Sequence, residues 1–471
     1  MIRFIRCSFV FVLSLFLGTI HAQQNVPSKT GIRLKKYKFD EMPVLGTYNG
    51  VTIKEGGVSG IVYQNGIFYL LSDRGPNADA GASTAAKGKT PLLFPFPKYA
   101  PKVWKATLEG DKLSVLNKYS IKRPDNTPAT GMPQGNTGEL AWSDTLGTTI
   151  PFDTWGLDAE GLTRDPKGNW WVCEEYGTSI WQLDAQFKLK KRYTPFPSQP
   201  QDVALDPAWG KRRPNRGFEG ITCAPNGKIY ALLQSPANIP DEQTGQKSRL
   251  HRLLEIDPVT GQMRTFIYEH AQPQGNIRNQ DWKIGDIAAI NNQEFLVLEH
   301  AERKGESVKN VFKISIAKAS ALDATSAASV PVESLLDAPT LQSKGIYPVQ
   351  KQLIADLTQL GWEKNHDKPE GLTVMNDSTF AVINDNDFGI DAPKADGKIV
   401  STNKTTRLYV FTLPADQQFD FVPVDSRIPG SMLSRSPKGA TTGIAMLSNV
   451  RYWMEIFSKM PGSFLRPYWT R

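Results

Sequence analysis

Three short segments, EGLTRDP, EGITCAP and EGLTVMN, place Glu160, Glu219 and Glu370 directly before a glycine that opens a strand-like run. Ser59 holds that place in SGIVYQN, and Asp286 in IGDIAAI falls within one residue of it, where the alignment is ambiguous. Each run passes through a tight turn into a second run ending on a polar residue: Asp73, Glu175, Gln234, Glu299 or Asn384. Carboxylates brought to one place repel and require compensation by a cation, by Lys and Arg, or by backbone amides. An oxygen-only ligand set suits a hard cation, and Ca²⁺ is expected, with Glu160, Glu219, Glu370, Asp286 and Asp73 as ligands. The alternative is that each acid caps its own repeat, paired with Arg164, Arg216 or Lys368, while Arg74 and Arg303 serve the second set. Recurrence alone leaves both open, because repeat proteins reuse a capping residue in every unit.

The elements that must position these residues are hairpins. SGIVYQNGIFYLLSD, EGLTRDPKGNWWVCEE, EGITCAPNGKIYALLQ, DIAAINNQEFLVLE and EGLTVMNDSTFAVIN each join two β-branched or aromatic runs through a turn rich in Asn, Asp, Gly or Lys. A further strand follows each after a variable gap: KVWKATL, SIWQLD, RLLEID, NVFKIS and RLYVFTL. The unit is a four-stranded antiparallel meander, which cannot cover its own faces. Radial stacking into an all-β propeller solves that problem; a β-sandwich is the competing arrangement. The repeats fit five to seven blades. Six is favoured if RLKKYKF and the C-terminal strands build a degenerate one. In a meander, the start of strand one and the end of strand two share a face, and the long connections fall there as well. The acids therefore belong at the mouth of the central channel on the elaborated rim.

Residues 1–22 read as a cleaved signal peptide, with Arg3 and Arg6 before the apolar run FVFVLSLFLGTI and Ala22 at the cut. That run is short for a bilayer span. The expectation is a secreted or periplasmic protein without stable membrane insertion after cleavage. The propeller is assigned to 23–425, and 426–471 to a C-terminal extension, read as an amphipathic helix packed on it. The net charge of +8 falls to +6 when the two leader arginines are lost. That surplus serves solubility or attracts an anionic substrate. Basic runs interleaved with aromatics are absent, which argues against nucleic acid. Cys173 and Cys223 remain as a disulfide or as two buried thiols, and the lack of CxxC or Cys/His spacing argues against zinc and iron–sulfur sites. No G-x-S-x-G elbow supports a serine hydrolase. Of the histidines, His300 and His366 lie within reach of the rim, as general bases or, preferably, as hydrogen-bonded rim residues. NDNDFG looks like half a calcium loop but lacks the downstream Glu.

These EGLT, EGIT and FAVIND motifs, spread over most of residues 50–415, resemble the phytase-like, esterase-like family of exported propellers. The pattern is also similar to calcium-dependent propeller lactonases and arylesterases. The resemblance implies Ca²⁺ and hydrolysis of a small anionic or ester substrate, with Glu160, Glu219 and Glu370 as metal ligands or water activators and rim Lys and Arg gripping anions. The basic phosphate signature of true phytases is not matched. On this reading Glu175 or Glu299 accepts a proton, and Arg74, Arg164 or Arg303 steadies developing charge. The alternative function is a non-catalytic propeller that binds a glycan, peptide or partner protein, with PLLFPFPKY, Trp142, Trp155 and Trp209 as aromatic platforms. The oligomeric state is left open.

Overall fold

The computed structural model describes residues 31–424, apart from 81–89, 136–137, 324–329, 367, 393–398 and 403. The leader and the extension after 425 lie outside the described residues, and all of the latter belong to the unit Met1–Arg427.

Each recognised hairpin is the inner half of a four-stranded antiparallel meander, to which Asp202–Ala204 adds a parallel fifth strand in blade 2 and Leu322–Asp323 an antiparallel one in blade 3. Blade 1 runs Val58–Gln64, Ile67–Ser72, Lys102–Glu109, Lys112–Ser120. Blade 2 runs Ala159–Arg164, Trp170–Glu174, Ile180–Leu183, Leu189–Thr194. Blade 3 runs Phe218–Cys223, Ile229–Leu233, Leu250–Ile256, Met263–Glu269, and blade 4 runs Trp282–Ala289, Glu294–Arg303, Glu306–Ser315, Gln350–Asp356. Blade 5 takes Lys368–Asn376, Thr379–Asp385 and Arg407–Thr412 from the C-terminal side and Arg33–Phe39 from the N-terminal side. Local chemistry sets these hairpins. Asn65 and Gly66, both at positive φ (53° and 82°), make the tight turn of blade 1.

The first inner strand packs on the second and so on around to the fifth, which returns to the first. The apolar core is accordingly divided into wedges, each between consecutive blades. Leu71 and Trp181 join blades 1 and 2, Trp171 and Phe218 blades 2 and 3, and Tyr268 and Phe295 blades 3 and 4. Leu298 and Phe411 join blades 4 and 5, and Trp104 and Leu408 close the circle. The sequence favoured a sixth blade containing RLKKYKF. Among the described residues this segment is instead the outer strand of blade 5, paired from Arg33↔Thr412 to Lys38↔Arg407. Its last residues also pair with blade 1 at Lys38↔Lys112, so the N-terminal strand fastens the closure.

The long connections sit where the meander places them. Segments from 74–101 and 121–157 add a small sheet, Ala78–Asp79, Thr90–Leu93 and Glu139–Trp142, on the elaborated rim. Phe94, Trp142 and Trp209, expected as rim platforms, are buried; Phe94 sits in the small core of these loops and Trp209 in the wedge between blades 2 and 3. Trp155 packs edge-on to Trp181 beneath the Arg192 guanidinium. Cys173 and Cys223 are free and buried.

Candidate metal and substrate site

In every blade the ladder between the first two strands slips by one residue at the same place. The extra residues are Ser59, Glu160, Glu219, Gly285 and Glu370. A bulge bends the strand and re-aims its side chain, here at the mouth of the channel. The glycine that follows is required by the neighbouring blade. A Cβ on Gly161 would lie 2.9 Å from the Ile221 amide nitrogen, and one on Gly220 2.6 Å from that of Ile287.

Blade 4 exchanges the two residues. Gly285 takes the bulge and Asp286 takes the glycine position, aimed at the same inter-blade amides. Its carboxylate accepts the N–H groups of Leu372 and Ile287, both at 2.8 Å, and that of Ile221. Asp286 thus ties blades 3, 4 and 5 together below the mouth, which separates it from the acids it was expected to join. We expect Asp286→Ala to leave buried amides without an acceptor and to cost about 3 kcal/mol of stability, within the range for unsatisfied buried donors. Chemical denaturation measures this, and a wild-type midpoint in the alanine variant would refute the bracing role.

Two further tiers complete the mouth. Two residues before each bulge stand Gly57, Asp158, Gly217, Lys283 and Lys368. The first three accept the amides of Asp73, Glu175 and Gln234, each at 2.9 Å, while Lys283 pairs with His300 and Lys368 with Asp385. The second ring is therefore Asp73, Glu175, Gln234, His300 and Asp385. Glu299 and Asn384, expected in it, lie one residue earlier and point between blades with Ser72 and Glu174. Glu174 accepts from the Gly177 and Ser179 amides, at 2.9 and 3.0 Å, and Glu299 from Tyr268, Lys351 and the Ala271 N–H. Asn384 takes the Arg407 amide.

The acids gather on blade 2. One oxygen each of Asp158, Glu160 and Glu175, all buried, lies within 4.8 Å of the others. Burial raises the Glu160 carboxyl well above the usual range, and repulsion from Asp158, Glu219, Glu175 and Glu370 raises it further. Glu219 is raised in the same way, by burial and then by Glu175 and Glu370, which brings three blades' carboxylates into one field. Glu175 is pushed up to about 7 by burial and Asp158; Glu370 reaches about 7 through burial, moderated by Lys368. Ser59 donates to Glu370 at 3.3 Å. Glu175 Oε1, Glu219 Oε2 and Gln234 Oε1 are buried without a hydrogen-bond partner. An oxygen donor set of this kind, partly unpaired and self-repelling, fits a hard divalent cation.

The cations divide. Arg74 ion-pairs with Asp158 at 2.7 Å, lies over the Tyr176 ring and donates to Asn215. Arg164 stands at the opposite end of its strand, bonded to Gln64 and stacked on Trp170, beside a cavity of about 330 Å³ lined by Thr163, Thr222 and Val424. That cavity holds no group of titratable side chains comparable to the acidic mouth. Arg303 stays on the outer rim against Asp281 and the Asn276 carbonyl. Lys368 clamps Asp385 at 3.4 Å and also pairs with Asp387, so NDNDFG forms a lysine-bound turn. His366 bonds Tyr409 and Thr405 in the blade 5 core, away from the mouth. Asp158 and Lys283 escaped the sequence reading. Their signal was a charged residue two positions before the bulge.

Residues 53–388 match the family described as "Phytase-like: Esterase-like activity of phytase". A relative from Arthroderma benhamiae, described as an uncharacterized secreted protein, is 25% identical over 194 residues, covering 34% of this chain and 38% of that protein. The match thus spans well under half of that relative's length. Among solved structures, virginiamycin B lyase from Staphylococcus aureus shares 11% identity with TM-score 0.27, covering 81% of this chain and 100% of that one. A luciferin-regenerating enzyme shares 10% with TM-score 0.33, covering 79% and 97%. Among the described residues no helix is long and apolar enough to cross a membrane.

Proposed function

Because the chain belongs to the phytase-like family, we propose that it is an exported, secreted or periplasmic, Ca²⁺-dependent hydrolase of phosphate or carboxylic esters acting at the acidic channel mouth. The family's description fits a hydrolase. The observation that carries the metal is the buried trio Asp158, Glu160 and Glu175, with Glu219 beside it and carboxylate oxygens left unpaired. These residues would hold the cation, with Gln234 as a neutral oxygen donor. When bound, Ca²⁺ supplies Lewis-acid polarisation of an ester oxygen and lowers the pKa of an attacking water.

The remaining roles fall to side chains around that position. Arg74 holds Asp158 in place through its ion pair and neutralises part of the trio's charge. Glu370, at about 7 and facing Lys283, exchanges a proton at neutral pH and acts as the base toward water. Glu299 plays no part, because its oxygens already brace blades 3 and 4. The reading as a purely binding propeller is left with fewer platforms, because Phe94, Trp142 and Trp209 are buried while Trp155 and Phe96 stay half-buried.

The test is a thermal melt in EDTA and in Ca²⁺, followed by chromogenic phosphate and carboxylic esters. A cation at a hundred times its Kd stabilises by about 2.7 kcal/mol, a shift of several degrees. Indifference to Ca²⁺ together with no turnover on any ester would sink the proposal.

A further inference from the structure

Blade 4 differs from the others at the mouth. Blade 2 places acids at all three tiers, Asp158, Glu160 and Glu175; blade 4 places Lys283, Gly285 and His300 there. Gly285 cannot be replaced by a Glu, since a Cβ would lie 2.4 Å from the Pro369 carbonyl oxygen. The side chains that face the mouth from this blade are therefore a lysine and an imidazole. Lys283 and His300 are direct partners across the strand ladder.

Lys283 has no hydrogen-bond or ion-pair partner among the described residues. Its ammonium lies in the field of Glu175 from blade 2, Glu219 from blade 3 and Glu370 from blade 5, close to the axis of the mouth. His300 is only 6% exposed, and its Nε2 is buried without a partner. Burial, and after it the charges of Lys283, Lys309, Lys368 and Arg216, keep the ring neutral. Arg216 projects from the entrance to blade 3 and is fixed by Ser235 Oγ at 2.8 Å and by the Gln280 and Trp282 carbonyls. Two of these cations, Arg216 and Lys368, also depress the Lys283 ammonium, after burial itself. A buried nitrogen left without a partner, beside an ammonium that has no ion pair, is costly unless an acceptor completes the pair.

We propose that blade 4 carries an oxyanion subsite, in which Lys283 Nζ and His300 Nε2, flanked by Arg216, receive a phosphoryl or similar tetrahedral oxyanion of the substrate. Resting on the hydrolase reading above, it narrows the substrate to an ester that carries negative charge at or beside the scissile group. A neutral carboxylic ester offers nothing to this half of the mouth. A cation held by the blade 2 acids would add its charge to that of the Lys283 ammonium, and positive charge of this kind stabilises phosphoryl oxygens.

Inorganic phosphate is the probe, titrated calorimetrically at submillimolar concentration into the protein with and without Ca²⁺. Lys283→Met and His300→Gln should each weaken phosphate binding about tenfold, the loss typical of one charge-assisted hydrogen bond. Lys283→Arg should bind phosphate nearly as wild type, which controls for folding. Ca²⁺ affinity, titrated separately, should hold or rise in Lys283→Met because a like charge leaves the mouth. Phosphate binding unchanged in Lys283→Met, or absent from the wild type in both conditions, overturns the subsite. A wild-type protein that ignores Ca²⁺ but binds phosphate through Lys283 overturns the metal reading instead and leaves the subsite standing.

Discussion

Glu160→Gln should lower Ca²⁺ affinity by at least about a hundredfold, and turnover should fall by at least as much. Loss of an outer-shell partner already costs 10- to 100-fold at metal sites, and Glu160 sits closer than that. It shares the blade 2 trio and faces Glu219 and Glu370 across the mouth. The amide keeps the side chain's shape and one oxygen acceptor, so the bulge and the wedge packing below it stay intact. Without the cation the variant should even be slightly more stable than wild type at neutral pH, because the amide does not have to be held protonated against its buried, acidic surroundings. Glu299→Gln makes the contrast. Its carboxylate bonds Tyr268, Lys351 and the Ala271 amide rather than the mouth, so the variant should lose stability while binding Ca²⁺ with wild-type affinity. Calorimetric Ca²⁺ titration of both variants, alongside a melt in EDTA, separates the two effects. Wild-type Ca²⁺ binding by Glu160→Gln would remove the trio from the metal site.

The repeat made the architecture legible. Hairpins with Asn-Gly and Lys-Gly turns, each followed by a strand, require a meander, and a meander fixes which ends share a face. That parity placed Glu160, Glu219 and Glu370 at one mouth without any knowledge of the coordinates. The number of blades was less accessible because closure depends on a strand more than 360 residues away in sequence, Arg33–Phe39 against Arg407–Thr412. Spacing of the other repeats says nothing about that pairing. Side-chain direction was the second gap. With a period of two along a strand, an error of one residue moves a side chain to the other face. The one-residue bulge at Gly285 determines which of Glu299 and His300 faces the mouth, and it is visible only in the ladder register. The same slip left Asp286 and Gly285 ambiguous. Lys283 was hidden for a related reason: its importance lies in the absence of a carboxylate at the mouth-facing positions of blade 4, Lys283, Gly285 and His300, and an absence leaves no motif.

The metal-free protein should lose stability as the pH rises from about 5 to about 8, and Ca²⁺ should abolish that loss. Glu175 and Glu370 both have carboxyls raised from 4.5 to about 7, in each case chiefly by burial. A carboxyl raised in the folded state holds a proton that the unfolded chain has already released. Folding therefore takes up protons between the two values, and stability falls with pH across that window. Below about 4.5 both states are protonated and the penalty vanishes; above about 7 it reaches its full size, about 3 kcal/mol for a single group shifted this far. Two such groups, with Glu160 and Glu219 raised alongside them, make the effect large enough to see as a melting temperature that drops by several degrees in EDTA. A divalent cation reverses the sign of the local field, so ionised carboxylates become the favoured form and binding releases protons. Ca²⁺ affinity should accordingly increase with pH through about 7, and calorimetry in buffers of different ionisation enthalpy should count the released protons directly. The buried, neutral His251, His270 and His300 act in the opposite sense, so the comparison is with Glu175→Gln and Glu370→Gln. The same pH profile in EDTA for wild type and both variants would mean the mouth is already neutralised by Arg74, Lys283 and Lys368. Those side chains, rather than a metal, would then be what the acids were assembled to meet.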